Sequence, residues 1–221
     1  WKRRGLWNSP MTLATVLAFA AMAALLIMSP GPNGVLIAKT VPTSGRAAGF
    51  ANIAGFVVAF FVHGTFAIFG LSVLLLQSAQ LFTAVKLLGA AYLVWIGAKA
   101  LIEAWRGAPV TLARIAPARR RRTLAKAFGE GFLTNALNPK VAMFYIAAFP
   151  QFMPHDGGSP LGAYVLVMVH ACLNVAWFGP IVLLFDRLSA LARGGRVRRW
   201  VQAATGLVFV GFGVRLATLR S

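Results

Sequence analysis

The residues able to do chemistry are few, and most sit at two interruptions in otherwise apolar sequence. The first is Ser29-Pro30-Gly31-Pro32-Asn33, and the second is Asn135-Ala136-Leu137-Asn138-Pro139-Lys140. Proline removes a backbone donor and clashes with the preceding turn. Asn138 followed by Pro139 reads as an N-cap and first helical residue, and Pro32-Asn33 reads as a second helix start. Each start leaves free N–H groups and partial positive charge at the head of a half-helix, which suits an anionic group such as a carboxylate. Lys140 adds a full charge beside the second break. It has three readings: holding a substrate carboxylate, pairing with Glu130, or contacting backbone carbonyls. Glu130 is a candidate acid for proton transfer, or else a first-turn charge matched to the helix dipole. His63 shares a helical face with Asn52, Gly55 and Ala59, and His170 stands four residues before Asn174. Interhelical hydrogen bonding accounts for His63 and Asn174 as readily as solute binding does, and it is the preferred account of His170.

The elements that must position these residues follow from composition. Of 221 residues, 59% are hydrophobic and only 12% charged, against roughly a quarter charged in a soluble domain. So few charges cannot cover a water-facing surface, so the solvent is lipid. A spanning helix needs about 20 apolar residues. Six spans can be drawn, at about 12–28, within 46–76, and at about 81–104, 126–150, 160–185 and 200–218. The second is too long for a simple span and must tilt, protrude or bend near Gly64 or Gly70. Gly89, Gly97, Gly206, Gly211 and Gly213 read as close-packing positions between helices. Met11 opens the first apolar run and reads as a natural start, with residues 1–10 an upstream extension.

The net charge of +18 does not point to nucleic acid. The basic residues fall between apolar stretches, where the positive-inside rule puts them. Lys39 and Arg46 lie in the first such loop. Arg106, Arg114, Arg119, Arg120, Arg121, Arg122 and Lys126 lie in the next. Arg187, Arg193, Arg196, Arg198 and Arg199 lie in the last, whereas Gln77–Gln80 and Gln151–Pro160 carry none. The asymmetry assigns 38–47, 104–126 and 186–200 to the cytoplasm.

The expected fold is an all-α integral membrane protein of six transmembrane helices in a single domain. Residues 11–110 and 111–221 form two three-helix repeats, necessarily inverted, whose first helices (the first and fourth of the chain) are broken. Irregular backbone at membrane depth survives only where protein or a water-filled cavity satisfies it, and secondary transporters use such broken helices near the midplane. The candidate substrate-binding residues are Pro30, Gly31, Pro32, Asn33, His63, Asn138, Pro139, Lys140 and Asn174. The rival classes are a membrane-embedded enzyme and a passive channel or structural subunit. An enzyme would need a nucleophile–base pair or a metal cluster. No H-E-x-x-H or G-x-S-x-G motif occurs, and His63, His155 and His170 are scattered. The lone Cys172, in an apolar stretch, reads as a small packed hydrophobe. No catalytic residue, metal or cofactor is expected. The expected partners are an amino-acid-like small molecule and membrane lipids, with no nucleic acid; self-association into a homo-oligomer stays open.

The ordered set Ser29-Pro30-Gly31-Pro32-Asn33, Gly89 to Gly97, Gly131 to Lys140, Phe149-Pro150-Gln151-Phe152 and Gly211 to Ala217 resembles the LysE/RhtB family of amino-acid exporters. The resemblance runs from Met11 to the C-terminus. It implies efflux of amino acids or close derivatives across the cytoplasmic membrane, six spans and coupling to the proton gradient. Two family carboxylates are missing. The second-span Gly-Asp is replaced by Ala59-Phe60, with His63 kept, and the fifth-span acid before Trp177 is replaced by Asn174. An intramembrane carboxylate is the usual proton carrier and the usual partner of a cationic substrate. Its loss leaves coupling without that carrier and argues against lysine, arginine or a divalent metal as cargo.

Overall fold

A computed structural model describes residues 12–70, 79–106, 122–153, 160–185 and 195–218. The expected upstream extension, most of the loop 104–126, His155 and the first part of the loop 186–200 lie outside the described residues. Every regular element among the described residues is helical. The order is α1 (Leu13–Met28), α2 (Pro32–Ser44), α3 (Arg46–Thr65) running into a π-helical turn (Phe66–Gly70), α4 (Ala79–Arg106), α5 (Leu124–Ala136), α6 (Pro139–Met143), a second π-helical turn (Phe144–Ala148), a 3-10 turn (Phe149–Phe152), α7 (Pro160–Leu183) and α8 (Gly195–Thr218).

The helix ends follow local chemistry. The Thr12 hydroxyl accepts from the Thr15 amide at 3.1 Å and starts α1. Thr123 starts α5 in the same way on the Lys126 amide. Pro32 and Pro139 occupy first-turn positions, where their missing N–H costs nothing. A single residue, Gly45, joins α2 to α3. Its φ of 84° is left-handed backbone that glycine enters without steric cost.

Both expected breaks are present. α1 and α2 meet at an angle of 54° across Ser29–Gly31. The fourth predicted span divides after Ala136 and restarts at Pro139. A π-helical turn, Phe66–Gly70, ends the described part of the second predicted span, and its residues 71–76 lie outside the described residues. Three stretches are long and apolar enough to cross a membrane unbroken: Arg46–Gly70, Leu87–Arg106 and Pro160–Leu183, with mean hydropathies of 2.0, 1.5 and 1.9. The bent pair α1–α2 makes a fourth candidate. Large apolar side chains such as Leu17, Phe66, Trp95, Leu133, Leu161 and Leu207 face outward. In water such a surface would drive association; against lipid it is the ordinary outer face.

The polar residues turn inward around α3. α5 runs parallel to it, since Asn52 meets Ala127 and Phe56 meets Asn135. α7 runs antiparallel to it, through Phe56–Phe178, Phe60–His170 and Thr65–Tyr164. α3 and α5 touch backbone to backbone. A Cβ on Gly55 would run into the Phe128 carbonyl and the Phe132 amide, and one on Gly131 would run into the Asn52 backbone. Gly55→Val is therefore expected to force the helices apart and lower stability by about 1–3 kcal/mol, read as a lower unfolding temperature in detergent; an unchanged temperature would contradict the close approach. The same device joins α4 and α8, where Gly97 and Gly206 face each other's carbonyls and Gly213 faces the Ala90 carbonyl. Gly89 meets Ala147. Gly211 departs from the expectation: it is exposed, and a Cβ there would meet nothing within 4 Å. Cys172 is likewise exposed rather than packed, because the α7 surface that carries it points away from α3.

Candidate functional site

The two breaks, about a hundred residues apart in sequence, meet in space. From the first, Asn33 Nδ2 donates to Asn135 Oδ1 at 2.9 Å. From the second, Lys140 Nζ donates to the Leu26 and Ser29 carbonyls, each at 3.0 Å. Those carbonyls end α1, where unpaired acceptors carry partial negative charge. Thus a cation at the start of one half-helix caps the end of another. Gly31 makes room for it, since a Cβ there would lie 2.9 Å from Nζ.

Asn138 accepts from the Lys140 amide at 3.0 Å and is buried, the N-cap its sequence predicts. Pro30, Pro32 and Pro139 are exposed; they shape the backbone and offer no side chain to an interior ligand. Glu130 does not reach Lys140. Arg122 Nε donates to Glu130 Oε2 at 2.5 Å, while the Arg122 amide donates to Ser44 Oγ at 3.0 Å. Its Nη1 also donates to Thr43 Oγ1 at 3.3 Å. Arg122 so ties the start of α5 to the end of α2.

His63 bonds across helices, Nε2 to the Asn135 carbonyl at 3.2 Å. A carbonyl only accepts, so this nitrogen donates. Asn135 is the residue the sequence reading passed over. Its Nδ2 donates to the Phe56 carbonyl at 2.8 Å, its Oδ1 accepts from Asn33, and its own carbonyl accepts from His63. It thereby links α2, α3 and α5. The available signal was its place one turn before the Asn138 cap, where both asparagines share a face.

Asn174 and His170 are buried, and neither makes a side-chain hydrogen bond among the described residues. His170 is surrounded by rings: Phe60 at 4.1 Å between centroids, Phe144 at 5.3 Å, Tyr145 at 5.6 Å and Phe19 at 6.2 Å. Tyr145, on the second π-helical turn, was also missed, since nothing in its local sequence separates it from its phenylalanine neighbours. No group of three or more His, Cys, Asp or Glu residues capable of holding a metal exists among the described residues.

Broken apolar helices meet here around buried amides and one ammonium, an arrangement that suits a membrane translocator. The LysE type translocator family matches residues 24–220, and the chain belongs to that family. Among curated relatives, the membrane protein YrhP of Bacillus subtilis is 31% identical over 91% of this chain and 97% of its own length. The threonine efflux protein of Escherichia coli K12 is 30% identical over 94% of this chain and 100% of its own. The leucine efflux protein of Klebsiella pneumoniae is 31% identical over 93% and 95%. No solved structure matches.

Proposed function

We propose that this protein exports neutral amino acids or close derivatives across the cytoplasmic membrane as a proton-coupled secondary transporter. We further propose that the substrate binds where the two helix breaks meet. The contact of Asn33 with Asn135, and of Lys140 with the end of α1, carries this reading. It brings together a half-helix start, two amides and one cation, the donor set a carboxylate requires. Substrate carboxylate would exchange for one of the Lys140 carbonyl contacts, with Asn138 fixing the half-helix start and Asn33, His63 and Asn174 facing the rest of the solute. Glu130, held by Arg122, relays protons between the cytoplasmic side and the core in this scheme. Six spans in two inverted halves, with loops 38–47, 104–126 and 186–200 cytoplasmic, would let the halves rock around the site. The named activities of the threonine and leucine relatives, and the absence of Asp or Glu beside the site among the described residues, favour an uncharged side chain on the substrate.

The test is efflux from cells overexpressing the protein and preloaded with labelled threonine, leucine or homoserine. At least one should leave faster than from control cells, and an uncoupler should remove the difference. Uncoupler-insensitive leakage of all three would favour a passive channel, and no efflux of any amino acid would overturn the reading.

A further inference from the structure

Resting on that transport reading, we propose that His170 is the proton-carrying group of the transport cycle, working with Tyr145 and Asn174 as its hydrogen-bonding partners once the core opens to water. Five side-chain atoms carry the inference: both ring nitrogens of His170, both polar atoms of Asn174 and the Tyr145 hydroxyl. All are buried, and none has a partner among the described residues.

A histidine kept only for packing in a membrane bundle bonds across helices. His63 does so with the Asn135 carbonyl; His170 does not. Buried polar atoms without a protein partner are costly. Their clustering on three neighbouring residues indicates partners in another state of the cycle. Asn174 lies one turn along α7 from His170, and Tyr145 stacks on it with planes 9° apart.

The surroundings suit an imidazolium as well as an imidazole. The Phe60 ring, 4.1 Å away and tilted by 33°, and the stacked Tyr145 ring present π-faces to His170. A cation within about 6 Å of such faces is stabilised. Tyr145 also stacks on His63, at 5.6 Å and 15°, so one tyrosine ring lies against both histidines. The residue sits on a π-helical turn, a backbone form frequent at functional sites.

The groups facing His170 are these. α1 contributes Phe19 and has no titratable side chain. α3 contributes Phe60, and its His63 stacks on Tyr145. The π-helical turn contributes Phe144 and Tyr145. The Lys140 ammonium is held at Leu26 and Ser29, at the far end of α1 from Phe19. The described carboxylates lie elsewhere: Glu130 is with Arg122, and Glu103 is in the last turn of α4. A proton taken from one aqueous side onto an Nδ1 or Nε2 lone pair, and released from the same ring to the other side, completes the step. No bond in the substrate changes.

The test uses the full chain purified into proteoliposomes with labelled threonine, leucine and homoserine as separate probes. Exchange is measured with unlabelled amino acid on both sides and no pH gradient; accumulation is measured with a gradient. Wild type should do both. His170→Gln, which keeps a polar side chain but cannot carry the proton, should retain exchange at a reduced rate and lose gradient-driven accumulation. Accumulation like that of wild type overturns the proposal. Equal loss of exchange and accumulation in folded protein also overturns it, because His170 would then be a substrate contact. Should His170→Gln fail to fold, Tyr145→Phe decides: the pH dependence of accumulation should shift, and an unshifted profile overturns the assignment. Wild type that exchanges no amino acid would sink the transport reading itself.

Discussion

Lys140→Ala is expected to abolish export while the protein still inserts and folds. The Lys140 ammonium bonds the Leu26 and Ser29 carbonyls, and removing it leaves both as unpaired acceptors, at about 1–3 kcal/mol each. Against this, a lysine at membrane depth costs roughly 3 kcal/mol on insertion scales. The two effects oppose each other, so stability should change little. Transport has no such compensation, because Lys140 is the one cation that the two breaks share among the described residues. Labelled amino-acid uptake into inside-out vesicles, alongside thermal unfolding in detergent, separates the two effects. Wild-type transport by the variant would remove Lys140 from the site. Lys140→Arg should recover only part of the activity, since a planar guanidinium does not fit the space beside Gly31 that a compact ammonium occupies.

The second large effect is expected at Asn135. Asn135→Leu keeps the branching and the number of side-chain heavy atoms, though it is bulkier, and removes two side-chain bonds, one to Asn33 and one to the Phe56 carbonyl. Interhelical bonds in membranes are worth about 1 kcal/mol each, so a stability loss of about 2 kcal/mol is expected. Export should fall far more steeply, because Asn33 loses the bond that fixes the start of α2. A double-mutant cycle with Asn33→Ala isolates their coupling. If the two single substitutions add without interaction in the transport rate, the breaks do not act as one site.

The parts of this molecule legible in the sequence are those written in local chemistry. Pro32 and the Asn138-Pro139 pair announce helix starts because capping and a missing N–H are properties of a few adjacent residues. The long apolar stretches over α3, α4 and α7 announce themselves by length and hydropathy. What stays hidden is pairing across the chain. Lys140 had three readings, and only tertiary packing selects the carbonyls of α1. Glu130 pairs with Arg122 rather than with Lys140, a choice that only the folded chain reveals. His63 behaves as the structural alternative described, bonding across helices, whereas His170, for which that account was preferred, makes no such bond. Asn135 and Tyr145 were overlooked for one reason: their roles come from neighbours on other helices, which no periodicity along one helix reveals.

The joint at Gly45 has a mechanical consequence. One residue turns the chain from α2 into α3, and Arg122 grips Thr43 and Ser44 just before the turn. A connection this short leaves α2 no slack to swing independently of α3. Any movement that opens the core must then carry the two as a single crank. Its pivot is the three-residue stretch Ser29–Gly31, where the ladder of α1 ends with the Ser29 amide on the Leu25 carbonyl and that of α2 begins at the Gly31 carbonyl. The flexing point of such a crank is the place where the Lys140 ammonium rests, so a solute that draws this cation away from its carbonyls also loosens the bearing on which the arm turns.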